Sequence, residues 1–240
     1  KFVTKIENIK ILEESAFNIK SKDNVISHLE FHQKVPFLLN IEVDYEDNEL
    51  VLEFTGKVLG SDYPKLISIE TIKQCFININ NMGICLLDID AIMDDASVVK
   101  CDVTQDVCCD DVPALTKYIA SNIINYREYI ARTLRNSNFV VEKNVTTRGY
   151  KKRLTIYNKQ KEMNKRENSR YMTEYNIPPN TFENICRFEL NLNSTAQIKK
   201  SLGISDTSLQ SVLTATNNPI RDFLDDVVAD SNYTIPLTDK

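Results

Sequence analysis

Three stretches of the sequence alternate between apolar and polar residues, and this pattern limits the fold more than any other feature. They are SVVKCDVT at 97–104, LTIYNK at 154–159 and CRFELNL at 186–192. Because successive side chains of a strand point to opposite sides, each stretch predicts a strand with one apolar and one polar face. We therefore expect a sheet whose apolar face packs on helices and whose polar face collects charged side chains.

Helix and strand patterns alternate along the chain and predict an α+β fold. An amphipathic helix is expected from Ser68 to Gly83, and a long helix over 112–137. A hairpin is expected over 138–163, with its turn near Arg148 and Gly149. The predicted order, β-β-β-α-β-α-β-β-β-α, favours antiparallel sheets with helices packed on one face. The recurrence of hairpin, helix and strand allows a weak twofold repeat.

The length of 240 residues suits one large domain or two small ones. Residues 1–193 are expected to form the main α+β domain, either undivided or as two similar halves split near residue 96. Residues 194–240 are predicted to be a helical C-terminal extension. They have a helix-turn-helix look around Gly203, but helix pairs with a glycine turn are common and favour DNA binding only weakly.

The cysteines and the hydropathy pattern point to a cytoplasmic protein without a membrane partner. No run of about 18 apolar residues is present, so no transmembrane helix is predicted. The six cysteines form no C-x-x-C motif, and the chain has only two histidines, which argues against zinc. We interpret the cysteines as reduced core residues rather than disulfides.

The charge of the chain is distributed unevenly. The net charge is −5, yet residues 141–170 hold ten lysines or arginines and only three acids, which gives +7 there and −12 elsewhere. A basic patch on an acidic body is typical of nucleic-acid binding, although a solvated charged surface is the commoner explanation of a charge run. The candidate DNA-binding residues are Tyr150, Lys151, Lys152, Arg153 and Lys161.

The polar face predicted from the three alternating stretches carries groups suited to phosphodiester chemistry. Asp102 and Glu189 could hold Mg²⁺ or Mn²⁺ through carboxylate oxygens, and the cation would polarise a phosphoryl group. Tyr157 could be a nucleophile, with Lys159 on the same strand face stabilising its phenolate. Arg187 could clamp a phosphate in bidentate fashion. Ordinary cross-strand pairs on an exposed sheet face would use the same residue types.

These residues lie in motifs that resemble the phage and plasmid replication initiators of the gene II/X type. The motifs occur in the family's order as VVKCDVT, RLTIYNKQKE and ICRFELNLN, within a resemblance that covers roughly residues 35 to 225. An upstream stretch, GKVLGSDYPKLISIETI, resembles the family's glycine-containing turn into its first helix. STAQIKKSLGIS resembles the stretch that follows the last strand.

The resemblance implies a metal-dependent tyrosine endonuclease that initiates rolling-circle replication. Such a protein nicks one strand of origin DNA, single-stranded or supercoiled, keeps the 5′ end on a tyrosine and leaves a 3′-hydroxyl for a polymerase, with a host helicase as a further partner. It implies that residues 1–193 are a nickase-like catalytic domain. By position, Tyr157 matches the nucleophile, Lys159 the following lysine and Glu162 a following acid. Asp102, Arg187 and Glu189 match the flanking motifs.

The chain departs from the family at three points. Lys100 and Cys101 stand where an arginine and an aliphatic residue are usual, and the upstream glycine turn is shorter. The chain also stops soon after the matched helices, so the resemblance implies a truncated chain or a compact relative. Related nickases often use two histidines for metal, and His28, Glu30 and His32 in HLEFH would share a strand face, although surface histidines explain them as well.

Two other functions stay open on the sequence alone. A metal-dependent nuclease could activate water at Asp102 and Glu189 while Tyr157 only stacks on a base. A non-catalytic origin-binding protein could use the same sheet and the same basic patch. Tyr150 could be a second nucleophile, a stacking platform for an unpaired base or plain surface.

Overall fold

The computed structural model describes residues 1–35, 37–135, 138–230 and 232–235. The strands are β1 Phe2–Lys5, β2 Ile9–Ile11, β3 Phe17–Lys22, β4 Val25–Phe31, β5 Leu38–Asp44, β6 Glu49–Phe54, β7 Cys85–Leu87, β8 Ser97–Val98, β9 Cys101–Cys108, β10 Asn125–Tyr126, β11 Tyr129–Thr133, β12 Phe139–Lys143, β13 Arg153–Asn158 and β14 Ile185–Leu192. The α-helices are α1 Ile72–Asn80, α2 Ile89–Asp95, α3 Val112–Asn122, α4 Lys159–Met163, α5 Arg166–Glu174, α6 Thr195–Leu202, α7 Leu209–Leu213 and α8 Pro219–Ala229. The predicted α+β fold with antiparallel sheets and a helical C-terminal part is confirmed.

The described residues divide into two compact units. Unit 1 contains residues 1–100 and 203–215, and unit 2 contains the described residues of 101–202 and 216–240. The helical segment predicted as an extension is therefore shared between them, with α7 in unit 1 and α6 and α8 in unit 2. These two units assign no role to either part of the chain, so the nickase-like catalytic domain over 1–193 and the C-terminal extension over 194–240 stay predictions.

Unit 1 is built on a six-stranded antiparallel sheet in the order β3-β4-β5-β6-β1-β8. Strands β3 to β6 form a meander, and β1 pairs with β6 on one side and β8 on the other. Phe2, Phe54 and Phe76 join the sheet to α1 through edge-to-face contacts, with ring centroids 5.6 to 6.0 Å apart. These three rings bring the sheet and the helix into one core.

Unit 2 is built on a second six-stranded antiparallel sheet, in the order β10-β11-β12-β13-β14-β9. Like unit 1, it contains a four-stranded meander, here β10 to β13. Along the chain α4, α5 and β14 follow this meander, whereas α1, β7, α2 and β8 follow the meander of unit 1. The predicted weak repeat is therefore limited to a meander followed by helices and a strand. Helix α3 packs across β11 to β14, and its Thr116 hydroxyl donates to the Val112 carbonyl within the helix.

Two expected elements of unit 2 are wrong in their extent. The long helix over 112–137 ends at Asn122, and β10 and β11 follow it; Asn136 and Ser137 lie outside the described residues. Arg127, with φ of 48°, makes the turn between β10 and β11. The strand expected to continue through Lys159 ends at Asn158, because the Asn158 side chain accepts a hydrogen bond from the Lys161 backbone N–H and begins α4.

The six cysteines are free: Cys75, Cys85 and Cys186 are buried, Cys101 and Cys109 are half-buried, and Cys108 is exposed. The expected absence of disulfides therefore agrees with the structure, while only half of the cysteines are core residues. Within the described ranges, each helix falls short of the length and apolar character that a bilayer crossing requires.

Candidate active site

The pairing of β13, β14 and β9 gathers the polar side chains of the three alternating stretches on one sheet face. Residues directly opposite each other in antiparallel strands share a face, as do residues two apart along one strand. The rows across the three strands are Tyr157–Arg187–Asp106, Thr155–Glu189–Thr104 and Arg153–Asn191–Asp102. Asp102, Tyr157 and Glu189 therefore lie on neighbouring strands and on the same face, as the alternation predicts.

Tyr157 and Glu189 form the central contact of this face. The Tyr157 hydroxyl donates a hydrogen bond of 2.6 Å to Glu189 Oε1, and the tyrosine is only 6 % exposed. Burial raises the pKa of the Tyr157 phenol far above its usual range, and the negative charge of Glu189 raises it further. Burial also raises the pKa of Glu189, although the hydrogen bond from Tyr157 acts in the opposite direction. The phenol is thus protonated at neutral pH, with a carboxylate of increased basicity in contact with its proton.

Arg187 lies beside this pair and forms a salt bridge with Asp106, an acid that was not among the predicted site residues. Its Nε and Nη2 donate to the two carboxylate oxygens of Asp106 at 2.6 and 2.7 Å, and the arginine is 2 % exposed. The two guanidinium N–H groups of Arg187 that were predicted to bind a phosphate therefore bind the Asp106 carboxylate instead. Asp106 is four residues after Asp102, so the alternation of CDVTQDV places both acids on the same strand face. This alternation was the signal that could have identified Asp106 as a site residue.

Lys159 reaches the site from the first residue of α4 instead of from the strand. Its Nζ lies 5.8 Å from the centre of the Tyr157 ring and 5.7 Å from that of Phe182. The same Nζ donates to Glu162 Oε2 at 2.5 Å, and Lys159 is 2 % exposed. Asn168 on α5 donates to both the side chain and the backbone carbonyl of Glu162. A buried cation is thus held against the tyrosine ring by an acid that α5 fixes in place.

The two carboxylates predicted to hold a metal are neighbours on the sheet but have protein partners. Asp102 is exposed and accepts a hydrogen bond from Asn191, while Glu189 accepts the bond from Tyr157. The charge of Asp102 contributes to the raised pKa of Glu189, so the two acids interact. One or two carboxylates completed by water and substrate oxygens are what Mg²⁺ commonly uses. Among the residues that the structure describes, no group of three or more His, Cys, Asp and Glu side chains is arranged around a metal position.

The candidate DNA-binding residues differ in exposure and in whether a protein group already contacts them. Lys151 and Arg153 lie 3.3 and 3.6 Å from Glu142 Oε2, and Arg132 lies 2.8 Å from its Oε1. Lys152 donates to Ser201 at 3.2 Å, and burial lowers its pKa. Tyr150 is 68 % exposed, and Lys161 is exposed on α4. Lys161 therefore differs from Lys151, Lys152 and Arg153, whose side chains contact Glu142 or Ser201.

His28, Glu30 and His32 do not form a cluster of their own in unit 1. His28 and Glu30 share a face of β4, but His32 lies beyond the end of that strand at Phe31. His28 faces acids of β5 instead, with its Nε2 3.5 Å from Glu42 and its Nδ1 3.9 Å from Asp44. The histidine at position 28 is thus part of an ordinary cross-strand polar contact.

No protein-family model and no curated protein matches this chain. The functional assignment therefore depends on the residues of the site and on the resemblance of the three motifs.

Proposed function

We propose that this chain is a cytoplasmic DNA-nicking replication initiator of the gene II/X type, which cleaves one strand at an origin through a covalent Tyr157–DNA intermediate. The observation that carries the proposal is the 2.6 Å hydrogen bond from the Tyr157 hydroxyl to Glu189, on a sheet face that also carries Asp102 and Arg187. A nucleophile in contact with a base, beside further groups that fix both, is the usual arrangement for covalent catalysis.

The reaction is a transesterification at phosphorus. The Tyr157 oxygen attacks the scissile phosphate, its proton passes to Glu189, and the bond from phosphorus to the 3′ oxygen breaks. The leaving 3′ oxygen takes up a proton to become the hydroxyl that a polymerase extends. The 5′ phosphate stays on Tyr157, and the phosphodiester energy is conserved for rejoining of the strand.

The other side chains act on charge and position. Lys159, close to the Tyr157 ring, offsets the negative charge that develops on the phenolate oxygen, and Glu162 and Asn168 fix Lys159 there. Asp106 holds Arg187 directly opposite Tyr157 in the sheet, so that this buried cation favours negative charge at the site without leaving its own partner. A Mg²⁺ or Mn²⁺ ion bound by Asp102 and Glu189 would supply Lewis-acid polarisation of the phosphate.

The polarity of the covalent product tests the proposal. A pool of randomised single-stranded oligonucleotides, labelled at either the 3′ or the 5′ end, is incubated with the protein and Mn²⁺ and then separated on a denaturing gel. We expect the 3′ label to migrate with the protein and the 5′ label to be released, because the tyrosine keeps the 5′ phosphate. Cleavage without any labelled protein would contradict the proposal in favour of a water-using nuclease. Binding without cleavage would contradict it in favour of a binding protein.

Glu189 gives the capture reaction a predicted pH dependence. Because only the carboxylate can accept the phenol proton, the rate of capture should fall as the pH drops through the pKa of Glu189, which burial raises above the ordinary range of a glutamate. The Glu189→Gln variant should lose most of the capture activity at every pH, while Glu174→Gln, an exposed acid of α5, should behave as the wild type.

A Mn²⁺ titration of the same variants separates the base from a metal ligand. If Glu189 acted chiefly as a ligand, high Mn²⁺ would restore capture by Glu189→Gln. The proton-acceptor role predicts no restoration. If the capture rate of Glu189→Gln still fell at low pH as in the wild type, a group other than Glu189 would be responsible for the pH dependence.

A further inference from the structure

The basic segment 141–170 falls into two parts that differ in whether their cations have acidic partners. In the first part, Lys151 and Arg153 share Glu142, and Lys143 lies 2.7 Å from Glu128. Glu142 and Glu128 together offset two of the positive charges of the hairpin between β12 and β13, and Glu142 is shared with Arg132 as well. A phosphate would have to compete with a carboxylate that is already in place.

The second part is on α4 and α5, and we name it the α4–α5 cation run. Its members are exposed and lie more than 4.0 Å from every carboxylate of the described residues: Lys161, Lys165, Arg166 and Arg170. Arg166 and Arg170 are one helical turn apart and lie on the same side of α5. The two acids exposed on α5, Glu167 and Glu174, pair with none of these cations.

The stability of α5 does not account for this run. Lys165 occupies the N-cap position of α5 and Arg166 its first helical position. The partial positive charge of a helix N-terminus disfavours cations at these positions. Glu167 in the same first turn offsets part of this repulsion, and a bound anion at the run would offset more of it.

The run begins at Lys161, four residues after the proposed nucleophile Tyr157. Helix α4 starts at Lys159, two residues after Tyr157, and the Lys159 ammonium lies over the Tyr157 ring. Lys161 also borders a surface cavity of about 360 Å³, which Asp110, Asp111 and Glu183 line as well. These three acids repel phosphate, so the cavity itself is unfavourable for a nucleic-acid backbone, whereas the exposed cations Lys161 and Lys165 are favourable contacts.

We propose that the single-stranded DNA next to the scissile phosphate binds along the α4–α5 cation run, and not on the hairpin residues Lys151 to Arg153. This inference rests on the proposed function, because the polyanion is taken to be the DNA that Tyr157 attacks. Each cation that pairs with a phosphate releases a counterion, so the run sets the salt dependence of binding.

The test compares two variants that each lose three cations. One is Lys165→Ala, Arg166→Ala and Arg170→Ala, and the other is Lys151→Ala, Lys152→Ala and Arg153→Ala. Binding of fluorescent oligo-deoxythymidine is measured by anisotropy against salt concentration, without divalent metal. Single-stranded DNA gives a slope of about 0.7 per phosphate contact in a log–log plot. The α5 variant should therefore lower the slope by about 2, and the hairpin variant by less than about 0.7.

Further variants and the capture assay separate this surface from the catalytic proposal. Lys199→Ala with Lys200→Ala, which removes exposed cations on α6, should leave the slope nearly unchanged. A larger slope change in the hairpin variant, or an unchanged slope in the α5 variant, would overturn the inference even if covalent capture by Tyr157 succeeds. Conversely, a reduced slope in the α5 variant upholds the surface even if no covalent product forms, because oligonucleotide binding in this assay requires no cleavage.

Discussion

Replacing Asp106 with alanine should destabilise unit 2 by about 3 kcal/mol. The substitution leaves the Arg187 guanidinium, which is 2 % exposed, without the carboxylate that accepts two of its hydrogen bonds. Removing one partner of a buried ion pair typically costs about 3 to 5 kcal/mol, because an uncompensated charge remains in the interior. We expect the lower end of that range, since the Asp106 side chain is 23 % exposed and water can reach it.

Asp225→Ala is the matched control, because it also breaks an arginine–aspartate pair. Arg221 and Asp225 on α8 lie 3.4 Å apart, but their side chains are 77 % and 71 % exposed. An exposed pair of this kind contributes less than about 1 kcal/mol. A cost at Asp106 no larger than that at Asp225 would show that the Arg187 pair has no special role in unit 2.

A double variant identifies the cause of the effect. Asp106→Leu with Arg187→Met removes both charges, and it should recover much of the stability that Asp106→Ala loses. Urea unfolding followed by near-ultraviolet circular dichroism suits this comparison, because the chain has no tryptophan and ten tyrosines. Only Tyr45 and Tyr63 belong to unit 1, so the signal reports mainly on unit 2.

The face of the candidate site could be predicted because it depends on local periodicity. Alternation in the stretches that became β9, β13 and β14 assigns each side chain to a face, whatever the strand order. Once these strands pair with their apolar rows on one face, Tyr157, Glu189 and Asp102 share the opposite face. The parity of Asp106 was available in the same stretch, although nothing in the sequence singles it out from Asp102.

The elements that differ from expectation are those whose structure is determined by pairing with a distant strand or by one helix N-cap residue. Residues 129–133 carry a helical pattern when considered alone, but they form β11 because they pair with β12. Tertiary pairing overrides such local preferences. At Lys159, one hydrogen bond, from the Lys161 backbone N–H to the Asn158 side chain, decides between strand and helix.

The availability of the basic residues could not be predicted for a similar reason. Glu142 pairs with Arg153 because the register of β12 and β13 places them opposite each other. A register shift of one residue would move Glu142 to the other face of the sheet. The count of charges in segment 141–170 therefore predicted a basic patch, while the register determined which of its members are paired.

Covalent capture by the Tyr157→Phe variant tests the central claim most directly. The substitution removes only the hydroxyl, so the ring, its contact with Lys159 and the cations of α4 and α5 remain. Tyr150→Phe is the matched control, because Tyr150 is an exposed tyrosine seven residues earlier in the same basic segment. Both variants are incubated with 3′-labelled single-stranded oligonucleotides and Mn²⁺ and run on a denaturing gel, while binding is followed by anisotropy. We predict no labelled protein for Tyr157→Phe with its DNA affinity nearly intact, and wild-type labelling for Tyr150→Phe. Wild-type labelling of Tyr157→Phe would contradict the account.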